Sequence, residues 1–252
     1  MPELLLFVPH PDDEAYAFGG LVALTTRAGW RVLVHAATSG EKGKRHDGGP
    51  VGRDQVGPAR EAEMEASCQL LGTEPPVFWQ LPDGGLSQRE PELIERCDDA
   101  VRASKPDVVA TLGRDGAYGH PDHIALHRAV EAVFASAGED TALLFPVFPK
   151  GLFLPQYQKC MAMMGDPPNP PPGFIGGGRW DVELDIRPAR EQKLAAIAAH
   201  RTQLPGGDPR AIFPAGIVDA LLDVERYEIA GNPSSEARAL VATLGREITS
   251  RS

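Results

Sequence analysis

The sequence of 252 residues contains no apolar run that reaches membrane length. Its longest strongly apolar stretch is Leu4 to Val8, against the ~20 residues that span a bilayer, and Asp12 and Asp13 interrupt the chain beyond it too early for a signal-peptide core. No membrane partner and a cytoplasmic location are therefore expected. Cysteine is scarce: Cys68, Cys97 and Cys160 are an odd number without CxxC spacing, which argues against a disulfide framework or a zinc knuckle and leaves them as buried thiols. There is no dense Lys/Arg run either, and 25 basic residues against 35 acidic ones give a formal charge of -10, which repels phosphate backbones. Nucleic acid is not an expected partner. The stretch Gly113 to Gly119 lacks both a Walker lysine and dinucleotide spacing, so a nucleotide-binding reading is weak. No internal repeat and no clear domain boundary is visible.

What is present is the composition of a soluble globular chain, 42% hydrophobic and 24% charged, at a length that suits one large domain. The pattern alternates. Glu3 to Val8 reads as a buried strand that stops at Pro9 and Pro11, Ala15 to Ala28 as a helix and Trp30 to Ala37 as a strand. Helical patterns at Gly57 to Leu71, Glu90 to Ser104 and Asp122 to Ser136 then alternate with strand patterns at Pro76 to Gln80, Asp107 to Leu112 and Leu143 to Phe148. Such alternation predicts an α/β fold, a Rossmann-like, mostly parallel sheet with helices on both faces, over a single domain of residues 1–252. Residues 151–180 break the pattern with a Pro/Gly/Met-rich segment, read equally as a surface excursion or as a substrate-facing lid loop. Val182 to Ile186 reads as a further strand, and Pro188 to His200 and Ser234 to Ile248 as helices.

Two polar clusters carry the chemistry. His10-Pro11-Asp12-Asp13-Glu14 follows the first strand, and Tyr118-Gly119-His120-Pro121-Asp122-His123 follows the strand at Asp107 to Leu112. Both fall on the carboxyl rim of the expected sheet, where α/β proteins bind ligands. The first cluster alone also reads as a polar turn with Asp capping a helix. Together the two supply mixed N/O donors that suit Zn²⁺ or Fe²⁺, and the sequence does not choose between the metals. The adjacent carboxylates Asp12 and Asp13 diverge in a tight turn, so one can ligate while the other faces a water molecule whose proton it can take.

These motifs resemble the paired signatures of the LmbE-like, or PIG-L, family of metal-dependent deacetylases, which act on N-acetylglucosaminyl conjugates. Gly19-Gly20, Thr38-Ser39-Gly40-Glu41, Arg60 with Glu63, Leu71-Gly72, Asp83-Gly84-Gly85 and Lys193 through His200 to Gln203 come in the family's order, so the resemblance covers roughly residues 3 to 203. It implies His10, Asp13 and His123 as metal ligands and Asp12 as general base. It also implies a protonated His120 held by Asp122, a mobile Tyr118 that helps polarise the amide carbonyl, and Arg60 and Asp83 as substrate-binding residues. The residues themselves leave Arg60 as an equal candidate for a helix surface and Asp83 for a turn former. Among the other histidines, His127 is read as packing or surface, His35 as a strand residue, His46 as solvated and His200 as a support behind the site.

The resemblance implies a hydrolase that removes the acetyl group from a GlcNAc conjugate such as GlcNAc-malate, as in the deacetylases of bacillithiol and mycothiol biosynthesis. An amidase of low-molecular-weight thiol conjugates and a non-catalytic carbohydrate-binding protein are the alternatives. The sequence leaves homo-oligomer formation and the aglycone open.

Overall fold

The computed structural model describes residues 1–135, 141–164, 175–231 and 233–250. Seven strands, β1 (Glu3–Val8), β2 (Arg31–Thr38), β3 (Val77–Leu81), β4 (Val108–Ala110), β5 (Ala142–Pro146), β6 (Val182–Asp185) and β7 (Val224–Ala230), form one sheet in the order β3-β2-β1-β4-β5-β7-β6. The five from β3 to β5 are parallel, while β7 runs antiparallel to both β5 and β6. The helices are α1 (Asp13–Arg27), α2 (Arg53–Leu71), α3 (Glu90–Ser104), α4 (Gly116–Gly119), α5 (Pro121–Phe134), α6 (Leu154–Met164), α7 (Arg190–Ala199), α8 (Ile217–Ala220) and α9 (Ser235–Ser250).

β1 sits at the centre of the parallel part, and all six of its residues are buried because both faces of the sheet are covered. Alternate side chains serve two cores. Leu4, Leu6 and Val8 pack with Phe18, Leu21, Met64, Cys68 and Ile197 from α1, α2 and α7, whereas Leu5 and Phe7 pack with Leu93, Cys97, Leu126 and Val130 from α3 and α5. Burial pushes the thiols of Cys68 and Cys97 well above their ordinary pKa, while Cys160 is half-buried. α2 stops at Gly72, whose φ of 82° allows its N–H to return to Cys68 O.

α1 approaches its neighbours closely enough to require glycine. A Cβ on Gly20 would collide with Ile186 and lie 2.7 Å from a Glu225 carboxylate oxygen, and one on Gly19 would lie 2.9 Å from Lys193 Cγ. Glu225 uses that space. It accepts from the backbone N–H groups of Gly20 and Leu21, the Lys193 ammonium and the Tyr227 hydroxyl, each at 2.7 Å.

Two elements correct the sequence reading. β7, Val-Glu-Arg-Tyr-Glu-Ile-Ala, carries charges at strand positions and was not expected, yet it inserts between β5 and β6 because Glu225 finds those four donors inside. The segment 151–180 is not a loop throughout: α6 occupies Leu154–Met164, with Phe153 and Tyr157 fully buried. Ser136 and the Pro-rich run at 166–172 lie outside the described residues. Among the described residues no helix is long and apolar enough to cross a membrane.

Candidate active site

From β1 the chain proceeds one way in the sheet to β2 and β3, and the other way lie β4 and β5, so the carboxyl ends of β1 and β4 flank a topological switch point. His10, Asp12 and Asp13 follow β1 directly, and Tyr118, His120, Asp122 and His123 lie on α4 and the start of α5, after β4. Asp83 follows β3 and Gly40 follows β2. The two expected clusters therefore meet.

At their meeting point two ring nitrogens and a carboxylate converge. His10 Nδ1 lies 3.3 Å from His123 Nε2 and 3.4 Å from Asp13 Oδ2, and His123 Nε2 lies 3.6 Å from Asp13 Oδ1. The opposite ring nitrogens decide the tautomers. His123 Nδ1 is 3.1 Å from the carbonyl of Gly116, and His10 Nε2 is 3.3 Å from carboxylate oxygens of both Asp122 and Asp83, so each of these nitrogens carries the proton and donates. Two lone pairs and a carboxylate are then left facing one another in a buried space, which is repulsive unless a cation stands between them. Ligands about 2.0–2.1 Å from a tetrahedral ion lie about 3.3–3.4 Å apart, so the separations fit a divalent metal, and both imidazoles are oriented from behind as metal-ligating histidines are.

Where no metal stands, a second proton on His10 relieves that repulsion: burial alone would drive the His10 pKa down, but hydrogen bonds to Asp122, Asp13 and Asp83 hold it well above its ordinary value, and a metal would displace the proton that Nδ1 shares with Asp13. Burial works to raise Asp13, yet His123 and His10 keep its carboxyl well below the usual range. Burial pushes His123 down to about 4, which leaves it neutral and able to ligate.

His120 caps α5: its Nδ1 accepts from the Asp122 backbone N–H at 3.2 Å. That fixes the neutral tautomer with its proton on Nε2. Its ring centroid is 4.8 Å from that of His10 and 4.6 Å from that of His123, and one nitrogen from each of the three rings falls within 4.8 Å of the others. Burial, with the neighbouring His123 and His10, pushes the His120 pKa down to about 3. The expected imidazolium held by the Asp122 carboxylate is not the arrangement found. Asp122 instead accepts from the backbone N–H groups of Gly84 at 2.6 Å and Leu86 at 3.1 Å, and from His10. Tyr118 packs its ring edge-on against His120 and His123, with centroids 6.0 and 5.2 Å away, and backs onto Phe153 and Phe213.

Asp12 sits at the mouth of this arrangement, its carboxyl raised to about 6 by burial against the opposing pull of Arg60. Arg60 is not a helix-surface residue. It is buried behind Asp12, donating to Asp12 Oδ2 at 2.9 Å, to Gly40 O at 2.9 Å and to Pro11 O. Asp83 is likewise engaged within the protein, by His10 and by the backbone N–H of Lys42 at 2.9 Å. Both residues expected to grip substrate are thus bonded to residues of the site, an orientation that spacing along the chain does not reveal. Glu14 received no role from the sequence, although it stands inside the first motif. It is fully buried and bonded to Asp12, Ser67 and His200. His127 packs on Phe145 and reaches Leu112 O at 3.0 Å, away from the metal donors.

The model of the PIG-L family, GlcNAc-PI de-N-acetylase, matches residues 5–134. The chain belongs to this family. Across 97% of its length it is 30% identical to a 1D-myo-inositol 2-acetamido-2-deoxy-alpha-D-glucopyranoside deacetylase of Actinosynnema mirum, covering 98% of that protein. Among solved structures it resembles the N,N'-diacetylchitobiose deacetylase of Pyrococcus horikoshii, at 22% identity and a TM-score of 0.60 over 91% of this chain and 84% of that one. It also resembles the 4-carboxy-2-hydroxymuconate hydratase GalB of Pseudomonas putida KT2440, at 16% identity and a TM-score of 0.62 over 93% and 98%. A deacetylase and a hydratase on one architecture mean that the fold alone does not name the reaction, so the site must.

Proposed function

We propose that this PIG-L family chain, as a single catalytic domain, is a metal-dependent hydrolase that removes the N-acetyl group from a small-molecule N-acetylglucosaminyl conjugate. The observation that carries the reading is the convergence of His10 Nδ1, His123 Nε2 and the Asp13 carboxylate, each imidazole with its proton committed to the far side. Those three residues would hold Zn²⁺ or Fe²⁺. When bound, the ion supplies Lewis acidity toward the acetyl carbonyl and lowers the pKa of a water molecule. Asp12 takes a proton from the attacking water. His120, neutral with its proton on Nε2, donates a hydrogen bond to the oxyanion that develops on the carbonyl, and Tyr118 closes the same side. As the C–N bond breaks, the protonated Asp12 returns its proton to the departing nitrogen, and acetate and a free amine leave. Among conjugates, the likeness to the Actinosynnema mirum enzyme over nearly the whole chain favours an inositol aglycone over malate.

Release of free amine from GlcNAc-inositol, GlcNAc-malate and N,N'-diacetylchitobiose tests this. Turnover is expected to be greatest on the first, to disappear with a chelator and to return with zinc or ferrous iron. His123→Ala removes one of three donors and should lose metal together with activity. Inactivity on all three substrates, or a full equivalent of metal retained by His123→Ala, would overturn the reading.

A further inference from the structure

We propose that Glu14, braced by His200 and Ser67, is a positioning residue that holds Asp12 in a left-handed backbone conformation and so directs its carboxylate to the reaction. The inference rests on Asp12 being the base. Asp12 has φ 118° and ψ -25°, a region that side-chain-bearing residues avoid and that persists only where the surroundings impose it.

Asp12 is the N-cap of α1, the position where Asp ordinarily folds its carboxylate back onto the first helical N–H groups, yet it makes no such bond here. Its oxygen Oδ2 goes to Arg60 instead. Glu14, at the second helical position, accepts the Asp12 N–H at Oε2, 2.9 Å away, a reach-back to the N-cap like the one a capping box makes from the third position. With the backbone N–H satisfied this way, the Asp12 side chain is released from capping.

Glu14 can serve as this anchor because its other oxygen is itself fixed. Oε1 accepts from Ser67 Oγ and from His200 Nε2, both at 2.6 Å, and all three residues are completely buried. The His200 segment is in turn tied down: Thr202 donates from its backbone N–H at 2.8 Å and from Oγ1 at 2.7 Å to Glu63. Arg60, Glu63 and Ser67 recur at helical spacing on α2, so one helix face holds Asp12 directly, Glu14 directly and His200 through its neighbour.

The test compares Glu14→Ala with Glu14→Gln. The alanine variant should lose about 10²-fold in kcat, the scale of misplaced catalytic geometry, with KM and metal content little changed. The glutamine variant keeps an acceptor for the Asp12 N–H and should recover most of that loss. In an Asp12→Asn background Glu14→Ala should cost almost nothing more, since its effect passes through the missing base. Losses that multiply, or a glutamine variant as poor as alanine, would overturn the proposal. A crystal structure of Glu14→Ala gives an answer without activity: Asp12 should relax to negative φ, and Asp12 unchanged near 118° would refute the inference even if the deacetylase reading failed. Should Glu14→Ala not fold, His200→Ala against His200→Gln, which keeps a donor for Glu14, asks the same question with the same expected ratio.

Discussion

Asp122 shows how much one side chain's direction decides. A carboxylate beside His120 in sequence suggests a partner for that ring, but both its oxygens accept backbone N–H groups from the Gly84 to Leu86 turn, and one also meets His10. Asp122→Asn turns an N–H donor toward one of these donors and weakens the support behind His10. Metal affinity should fall by about 10- to 100-fold, read by competition with a chelator, while the alkaline side of the pH–rate profile stays where it is. A shifted alkaline limb with unchanged metal affinity would instead make Asp122 the partner of His120. The residues of the site were legible in the two motifs, because His and Asp at a strand end have few structural reasons to cluster. Their orientations were not, since Arg60 and Asp83 read the same along the chain whether they face a substrate or a neighbouring site residue.

Among elements, β1 and the helix after it were readable from hydrophobic period and punctuation, whereas β7 was hidden by Glu225 and Arg226 at strand positions, and α6 by the prolines and glycines that come after it. Charge within a strand reads as solvent until its partners are known, and the partners of Glu225 come from α1 and α7 as well as from its own strand. β2 contains a further polar residue whose setting has a measurable effect. His35 lies edge-on to Phe7 and Trp79, with ring centroids 5.8 Å away in both cases, its Nδ1 has no partner among the described residues, and burial pushes its pKa down to about 4. The unfolded chain, with an ordinary histidine near ~6.5, takes up a proton in the window between these values while the folded one does not, so stability falls as pH drops through it. For a partly exposed ring the loss between pH 7 and pH 5 should be about 1–2 kcal/mol. His35→Gln should reduce the difference in unfolding free energy between the two pH values by that amount; an equal difference in both proteins would show that His35 does not contribute.

At the scale of the whole molecule, the parallel sheet and its two helical layers were visible in the alternation of patterns, and the antiparallel pair at one edge was not. Strand order places β1 between β2 and β4, and this has a consequence for how the protein matures. The donors on His10 and His123 are 113 positions apart and come together only when β1 and β4 lie side by side. Pairing strands so distant in sequence is a slow step, because loop closure precedes any contact that compensates for it. Helices can form locally well before that. Refolding monitored by far-UV circular dichroism should therefore run ahead of refolding monitored by uptake of Co²⁺ into the donor set, and a metal signal as fast as the helical one would contradict this order. The same delay would make loading with metal a late event in biosynthesis, reserved for chains whose central strands have already found each other.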